Sequence, residues 1–213
     1  MIDTPHIAPP ALPRIVLAST SVYRRGLLSR LGLAFETQSP TTDERPLAGE
    51  TPRALAHRLA EAKARSVLPA VAAAMAPDHP AALIIGSDQV AVLDDTILGK
   101  PGDLAATIEQ LSRAAGRRVT FLTGVCVLNT ETGEADVDVV AFSVLFRKLT
   151  GRQIRNYAER ERPFDCAGGF KSESLGVALF ERMEGEDPTA LVGLPLIRLT
   201  GMLARQGVDV LGG

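Results

Sequence analysis

Two serines, a tyrosine and an arginine stand at the start of a predicted helix, where they could bind an anion. The apolar run Ile15–Ala18 is typical of a buried strand, and the pattern after it predicts a short helix ended by a glycine. Ser19 and Ser21 therefore fall on the connecting turn, and Tyr23 and Arg24 fall in the first helical turn. The free N–H groups of such a turn favour an anion and disfavour a cation. A bound phosphate would remove the conflict with Arg24, and Tyr23 could stack on a base, which indicates a nucleotide.

Three further side chains could act on a bound phosphate. Asp88 follows the buried run Leu83–Gly86, so it could be held rigidly at a sheet edge beside a ligand, although an aspartate that simply starts a turn remains an alternative. Lys63 lies beside the apolar stripe of its predicted helix, where a lysine that extends its amine to solvent is also common. Lys100 lies in Gly99–Pro101, which resembles the end of a phosphate loop but lacks that motif's spacing. Each signal is weak alone.

A glycine-rich segment supplies a further carboxylate. Gly168 and Gly169 permit close approach of the backbone to a ligand, and Glu173 follows them. Isolated glutamates are usually solvated, so Glu173 gains meaning only from the other residues.

The elements that must position these residues alternate between helix and strand. A long hairpin lies within this alternation, so we predict a single α/β domain with a mixed, partly antiparallel sheet flanked by helices. The predicted strands are residues 15–18, 35–38, 83–86, 90–93, 96–98, 119–129, 135–146 and 177–180, and the predicted helices begin at residues 22, 52, 104, 154 and 195. We expect the second helix to continue to about residue 76. Residues 14–207 form the domain, residues 1–13 a disordered proline-rich lead-in and residues 208–213 a tail.

Composition excludes several classes of protein. The chain has 213 residues, 46% hydrophobic and 23% charged, enough for one ordinary core. A net charge of −2 argues against a partner nucleic acid, which would call for a basic excess. Cys126 and Cys166 form no metal-binding or disulfide pattern. No apolar run is long enough to span a membrane and no signal peptide is present, so we expect a cytoplasmic protein.

Six motifs in order resemble the Maf family of nucleoside triphosphate pyrophosphatases. The motifs are residues 17–25 (LASTSVYRR), 43–44 (DE), 62–64 (AKA), 86–89 (GSDQ), 99–101 (GKP) and 169–173 (GFKSE). The resemblance covers residues 14 to 206 and implies an ITPase/Maf-like fold and homodimerisation. It also implies hydrolysis at the α-phosphate, with Asp88 as proton acceptor and with Asp88 and Glu44 as ligands of a divalent cation, Mg²⁺ or Mn²⁺. The predicted triphosphate ligands are Ser19, Ser21, Arg24, Lys63 and Lys100.

Within this family the chain is most similar to the branch that hydrolyses 7-methyl-GTP. The residues that indicate this specificity are Tyr23, Gln89 and Glu173, where the dTTP and UTP branch has arginine, threonine and glutamine. Methylation at N7 gives guanine a positive charge, which stacks well on an aromatic ring. A carboxylate can accept hydrogen bonds from N1–H and the exocyclic amine of guanine, whereas uracil would leave it partly unpaired.

Two alternatives remain open at this stage. The first is a dTTP/UTP pyrophosphatase with an unusual base pocket. The second is a nucleotide-sensing regulator of cell division that binds without hydrolysis, which the intact set of acidic and basic residues disfavours.

Overall fold

The computed structural model describes residues 13–74 and 81–212. The predicted lead-in lies outside these residues except for Pro13, as do Met75 and Ala76 at the predicted end of the second helix. The strands are β1 (Arg14–Ala18), β2 (Glu36–Gln38), β3 (Ala82–Leu93), β4 (Thr96–Leu98), β5 (Arg118–Asn129), β6 (Ala135–Phe146) and β7 (Phe180–Gly185). The α-helices are α1 (Val22–Ser29), α2 (Pro52–Ala73), α3 (Leu104–Ala114), α4 (Gly151–Glu161), α5 (Thr189–Val192) and α6 (Leu196–Arg205), and two 3₁₀ helices span Ala167–Gly169 and Leu175–Leu179.

Within the described residues, all seven strands belong to one mixed sheet. Its order is β2-β1-β3-β5-β6-β7, and the short β4 pairs with β3. β1 runs parallel to β2 and β3, whereas every other pairing is antiparallel. The prediction of a single α/β domain with a mixed sheet is confirmed.

Strand β3 is longer than the sequence predicted. We expected a strand at residues 83–86 that ended before Asp88, and a separate strand from Val90. That expectation was wrong, because β5 pairs with β3 without interruption from Leu83 to Leu93. Asp88 therefore lies within a strand, opposite Gly124, and does not follow one.

The opposite edge of β3 is open beside Asp88. On that side β1 pairs with β3 only as far as Gly86, and β4 begins to pair at Ala91. In the described part of the chain, residues 87–90 thus have a strand neighbour on one side only. The open edge allows a ligand to reach the middle of the sheet.

The predicted strand at residues 177–180 was also wrong. Residues Leu175–Leu179 form a 3₁₀ helix, and β7 starts only at Phe180. The chain turns too tightly for a strand, since a Cβ at Gly176 would stand 2.2 Å from the carbonyl oxygen of Lys171.

Helices cover both faces of the sheet. Residues of α2 pack on one face, with Val16, Ile84 and Cys126. The other face carries residues of α1 and α6, with Leu17 and Ile85. Neighbouring residues of a strand point to opposite faces, which explains this alternation. Val208 is buried on the face that carries α1 and α6, so the core extends one residue past residue 207.

No helix in the described ranges is long and apolar enough to cross a membrane.

Two glycines allow α2 to lie very close to the central strands. A Cβ at Gly86 would stand 2.1 Å from the carbonyl oxygen of Ala60, and one at Gly124 would stand 2.1 Å from that of Ala56. Thr51 caps the helix by accepting a hydrogen bond from the backbone N–H of Ala54. The close approach of α2 at Gly86 and Gly124 sets the depth at which Lys63, about one turn after Ala60, enters the site.

We expect Gly86→Ala to destabilise the protein by about 3 kcal/mol, because the added methyl group would collide with rigid helical backbone. The midpoint of urea unfolding measures the loss. Gly26→Ala in α1 is the control: a Cβ there has no neighbour within 4 Å, so we expect unchanged or slightly higher stability. Equal midpoints for the two variants would contradict the close contact between α2 and β3.

Candidate active site

A cavity of about 430 Å³ opens at the unpaired edge of β3. Asp88 and Gln89 are consecutive in the strand, so their side chains point to opposite faces of the sheet, yet both line this cavity. Both can do so because no strand closes the edge between Gly86 and Ala91. The cavity also brings together most of the residues predicted from the sequence: Ser21, Tyr23, Arg24, Glu44, Lys63, Lys100 and Glu173.

The centre of the cavity is an ammonium group between two carboxylates. Lys63 Nζ lies 2.5 Å from Asp88 Oδ1 and 2.6 Å from Glu44 Oε1. Lys63 is 6% exposed, so its amine does not extend to solvent. Burial opposes ionisation of Glu44, but the hydrogen bond and charge of Lys63, with Lys100 and Arg24, hold the pKa of Glu44 below its ordinary value. Asp43, next to Glu44, pairs instead with Arg45.

Only one of the two carboxylate oxygens of Asp88 accepts a hydrogen bond from the described residues. Its Oδ1 accepts the hydrogen bond from Lys63, whereas Oδ2 accepts none from the described residues. A carboxylate held by one oxygen in a cavity can accept a proton through the other.

Arg24 is oriented by a backbone carbonyl. Its Nε donates to Gly193 O at 2.9 Å, and Ser87 Oγ lies 2.9 Å from the same oxygen and 2.8 Å from Gly124 O. Burial lowers the pKa of Arg24, and the charges of Asp88 and Glu44 oppose that effect. Its two terminal nitrogens make no hydrogen bond within the described part of the chain, so they remain available to a phosphate. Lys100, exposed on the cavity wall, adds a second available cation.

The two serines of the opening turn have different places. Ser21 lines the cavity and caps α1, where its hydroxyl accepts from the backbone N–H of Arg24. Ser19 is 6% exposed and is absent from the cavity wall. Its hydroxyl accepts from the backbone N–H of Ser21, so the contact that this structure shows for Ser19 shapes the turn.

Gln89 is held by residues of β5 and α5. Its amide nitrogen donates to Thr123 Oγ1 at 3.1 Å and to the carbonyl oxygens of Ala190 at 2.8 Å and Leu191 at 3.1 Å. Because carbonyl oxygens only accept, the amide oxygen must face the other way. Gln89 therefore offers an acceptor to the cavity.

Tyr23 and Glu173 line the cavity beside Asp165 and Cys166, and the charges that act on Tyr23 come from this group rather than from Lys63, Asp88 or Glu44. Burial, together with Cys166, Asp165 and Glu173, raises the pKa of Tyr23 to about 12, so its hydroxyl stays protonated. Burial and the adjacent carboxylates likewise raise the pKa of Cys166 to about 12, which leaves a neutral thiol rather than a nucleophile. We call Tyr23, Asp165, Cys166 and Glu173 the distal cluster.

The loop that carries Glu173 is anchored in the core. Phe170 makes edge-to-face contacts with Phe121, Phe146 and Phe180, at centroid distances of 5.3, 5.6 and 4.8 Å. The backbone N–H of Lys171 donates to the Tyr157 hydroxyl at 3.1 Å. Glu173 is thus an exposed side chain on a rigid support.

Sequence reasoning missed several residues of the site. The apolar walls include Leu55, Leu59, Val90, Leu98 and Leu191. These residues have ordinary core patterns, so no sequence signal separates them from the interior. Gly193 acts through its carbonyl group, which any residue type possesses. Asp165 was detectable as a charged neighbour of the glycine-rich segment.

A divalent cation is compatible with the carboxylates present. Glu44 and Asp88 already converge on one cation, the Lys63 ammonium. The described residues contain no cluster of three or more acidic, histidine or cysteine ligands. A pair of carboxylates that leaves the other coordination positions to phosphates and water is typical of nucleotide-bound Mg²⁺.

Comparison with known proteins identifies relatives over nearly the full length of the chain. The family described as Maf-like protein matches residues 14–206. A 7-methyl-GTP pyrophosphatase from Nitrosococcus oceani is 52% identical over 206 residues, with 97% of this chain and all of that protein covered. Proteins of the same name from Pseudomonas aeruginosa and Aliivibrio fischeri are 52% and 48% identical, with 93% of this chain covered in each case and 100% and 98% of the relatives. The solved structure of the Staphylococcus aureus Ham1 protein is a weaker match, with 14% identity, a TM-score of 0.45 and coverage of 91% of this chain and 99% of that one.

Proposed function

The chain belongs to the Maf-like family, and we propose that it is a nucleoside triphosphate pyrophosphatase that converts 7-methyl-GTP to 7-methyl-GMP and diphosphate. The observation that carries this proposal is a single cavity with Asp88 at an open strand edge, available cations, and an aromatic ring grouped with carboxylates on its wall. Relatives that bear this name at about half identity over their full length support the same activity.

The mechanism follows from the positions of the charged groups. Asp88 Oδ2 accepts a proton from a water molecule that attacks the α-phosphorus, while the cation on Oδ1, which is the Lys63 ammonium in this structure, keeps the carboxylate oriented. The bond to the bridging oxygen breaks, and diphosphate leaves. Arg24 and Lys100 stabilise the charge that develops on this leaving group.

A divalent cation would be held by Asp88 and Glu44. It would supply further neutralisation of the phosphate oxygens, as Mg²⁺ or Mn²⁺ does in other phosphoryl-transfer sites. Lys63 would then exchange its carboxylate partners for the triphosphate.

Three further properties are proposals of the same kind. We infer that the protein acts on a free nucleotide without nucleic acid, that it forms a homodimer and that it is cytoplasmic. The family resemblance supports the homodimer, and light scattering of the purified protein would test it.

A panel of nucleotides tests the substrate. We expect the ratio kcat/KM for diphosphate release to be highest for 7-methyl-GTP, compared with GTP, UTP and dTTP. Glu173→Gln should lower this ratio for 7-methyl-GTP by roughly 10- to 100-fold, because an amide cannot accept from both guanine donors and carries no charge. Glu159→Gln on the exposed surface of α4 is the matched control.

The panel also separates the rival activities. Preference for UTP and dTTP would indicate the other branch of the family and contradict the proposed specificity. Nucleotide binding without diphosphate release in the presence of Mg²⁺ would indicate a sensing protein.

A further inference from the structure

Charges are segregated along the cavity. Arg24, Lys63 and Lys100 interact with Asp88 or Glu44, where the triphosphate would bind, whereas the distal cluster contains two carboxylates, Asp165 and Glu173. In the described part of the chain neither carboxylate forms a salt bridge. Glu173 accepts from the Ser172 hydroxyl at 3.2 Å, and Asp165 accepts only from the Cys166 thiol at 3.5 Å, a weak donor.

Arg162 and Lys171, which lie near Asp165 and Glu173 in the sequence, form no salt bridge with these two carboxylates. Lys171 Nζ donates to the carbonyl oxygen of Glu161 at 3.2 Å. The guanidinium of Arg162 lies 5.5 Å from the ring centroid of Phe164. The charge of Lys171 still acts on Cys166, but no cation of the described residues forms a salt bridge with either carboxylate.

Asp165 has no evident part in shaping its loop. An aspartate that forms a turn or caps a helix accepts a backbone N–H, as Asp103 does from Ala106 at 2.8 Å. Asp165 makes no such bond among the described residues, although it lines the cavity and lies close enough to Tyr23 to raise its pKa. Its carboxylate thus faces the ligand space rather than the protein frame.

Neutral guanine needs only one carboxylate for its N1–H and amino groups. A second carboxylate beside the same tyrosine, without a salt bridge of its own, would be unfavourable unless the ligand itself brought positive charge. A purine alkylated at N7 carries such a charge on its ring. On the basis of the proposed function, we propose that Asp165 is a specificity-determining residue that, with Glu173 and Tyr23, selects cationic N7-alkylated purine nucleotides by charge.

A pair of substrates with the same shape isolates this effect. 7-Methyl-GTP carries the ring charge, and 7-methyl-7-deaza-GTP has the methyl group in the same place without the charge. The quantity to measure is the selectivity, defined as kcat/KM for the first divided by kcat/KM for the second. We expect Asp165→Asn to reduce this selectivity roughly threefold to fivefold, mainly through KM, as suits a partly exposed charge interaction.

Two further measurements complete the test. Raising the salt concentration from about 0.05 M to about 0.5 M, which screens charges, should reduce the selectivity of the wild type more than that of Asp165→Asn. Asp95→Asn, which makes the same charge change on an exposed turn, should leave the selectivity unaltered.

The outcomes are distinct. If Asp165→Asn lowered kcat/KM equally for both substrates, or lowered it for neither, the role of Asp165 would be overturned while the proposed function stood. A wild-type enzyme that fails to cleave 7-methyl-GTP in preference to GTP, UTP and dTTP would overturn the proposed function itself.

Discussion

Asp88→Asn is expected to lower kcat for 7-methyl-GTP by on the order of 10²–10⁴-fold, the usual contribution of a general base. The amide retains the shape of the side chain and its place opposite Gly124 in β3. It cannot take a proton from water at neutral pH, and it is a weaker partner for a metal ion than a carboxylate. A stopped assay for diphosphate, with enzyme at high concentration, would measure the residual rate.

The neighbouring loop offers a matched control for Asp88→Asn. Asp43 is an exposed aspartate paired with Arg45, one residue from Glu44 but absent from the cavity wall. Asp43→Asn should retain nearly full activity. If Asp88→Asn also retained full activity while its circular dichroism spectrum matched the wild type, Asp88 would not be the proton acceptor.

Lys63→Met is expected to have the second largest effect, on both stability and catalysis. Methionine keeps much of the length of the side chain but removes the charge that joins Asp88 to Glu44. Breaking a buried ion pair leaves an uncompensated charge and costs roughly 3–5 kcal/mol. We expect the lower end of this range, because the side chain of Glu44 is 58% exposed and can turn towards solvent.

A divalent cation should restore part of the stability that Lys63→Met loses. In the wild type the ammonium competes with a metal ion for the same two carboxylates, so Mn²⁺ without nucleotide should bind weakly. In Lys63→Met the carboxylates lack a cation, and Mn²⁺ should raise the melting temperature more than it does in the wild type. Arg65→Met, at an exposed position of the same helix, should show neither effect. Equal responses of both proteins to Mn²⁺ would show that Lys63 does not occupy the metal position.

Acidification should narrow the stability gap between the wild type and Lys63→Met. The pKa of Glu44 lies below its ordinary value of 4.5 in the folded wild type, in part because of Lys63. Its contribution to stability is therefore present above pH 4.5 and is lost as the pH falls through the lowered pKa. In Lys63→Met this contribution of Glu44 is already smaller at neutral pH, so less of it is lost on acidification. Unfolding free energies measured between neutral pH and acid would test the trend.

The sequence predicted the fold class because hydrophobic periodicity reports on burial. The long hairpin of β5 and β6, the capped start of α2 and the turn from β1 into α1 all have local signals, and each forms close to its predicted place. Strand β3 was divided in two because Ser87, Asp88 and Gln89 are polar and are often found in turns. Only the pairing with β5, more than thirty residues away, shows that the strand continues through them.

The residue types at the site were readable from the sequence, but their partners were not. The chain alone placed a serine and arginine turn, an internal aspartate, two lysines and a glycine-rich loop in order. It predicted for Lys63 either a ligand contact or a solvated amine, and it predicted phosphate contact for Ser19, which the structure places off the cavity wall, bonded to the turn. Side-chain environment depends on contacts across the fold, and these do not follow from local spacing.

What the sequence by itself determined was a set of chemical groups and the order of the elements that carry them. Periodicity and capping are local properties, so they can be recognised in a short segment without reference to the rest of the chain. Only the tertiary structure decided that β1 stops short of Asp88, that Gly86 and Gly124 admit α2 and its Lys63, and that the carbonyl of Gly193 orients Arg24. Each of these depends on packing between segments far apart in the chain, where a few tenths of an ångström decide which groups can meet.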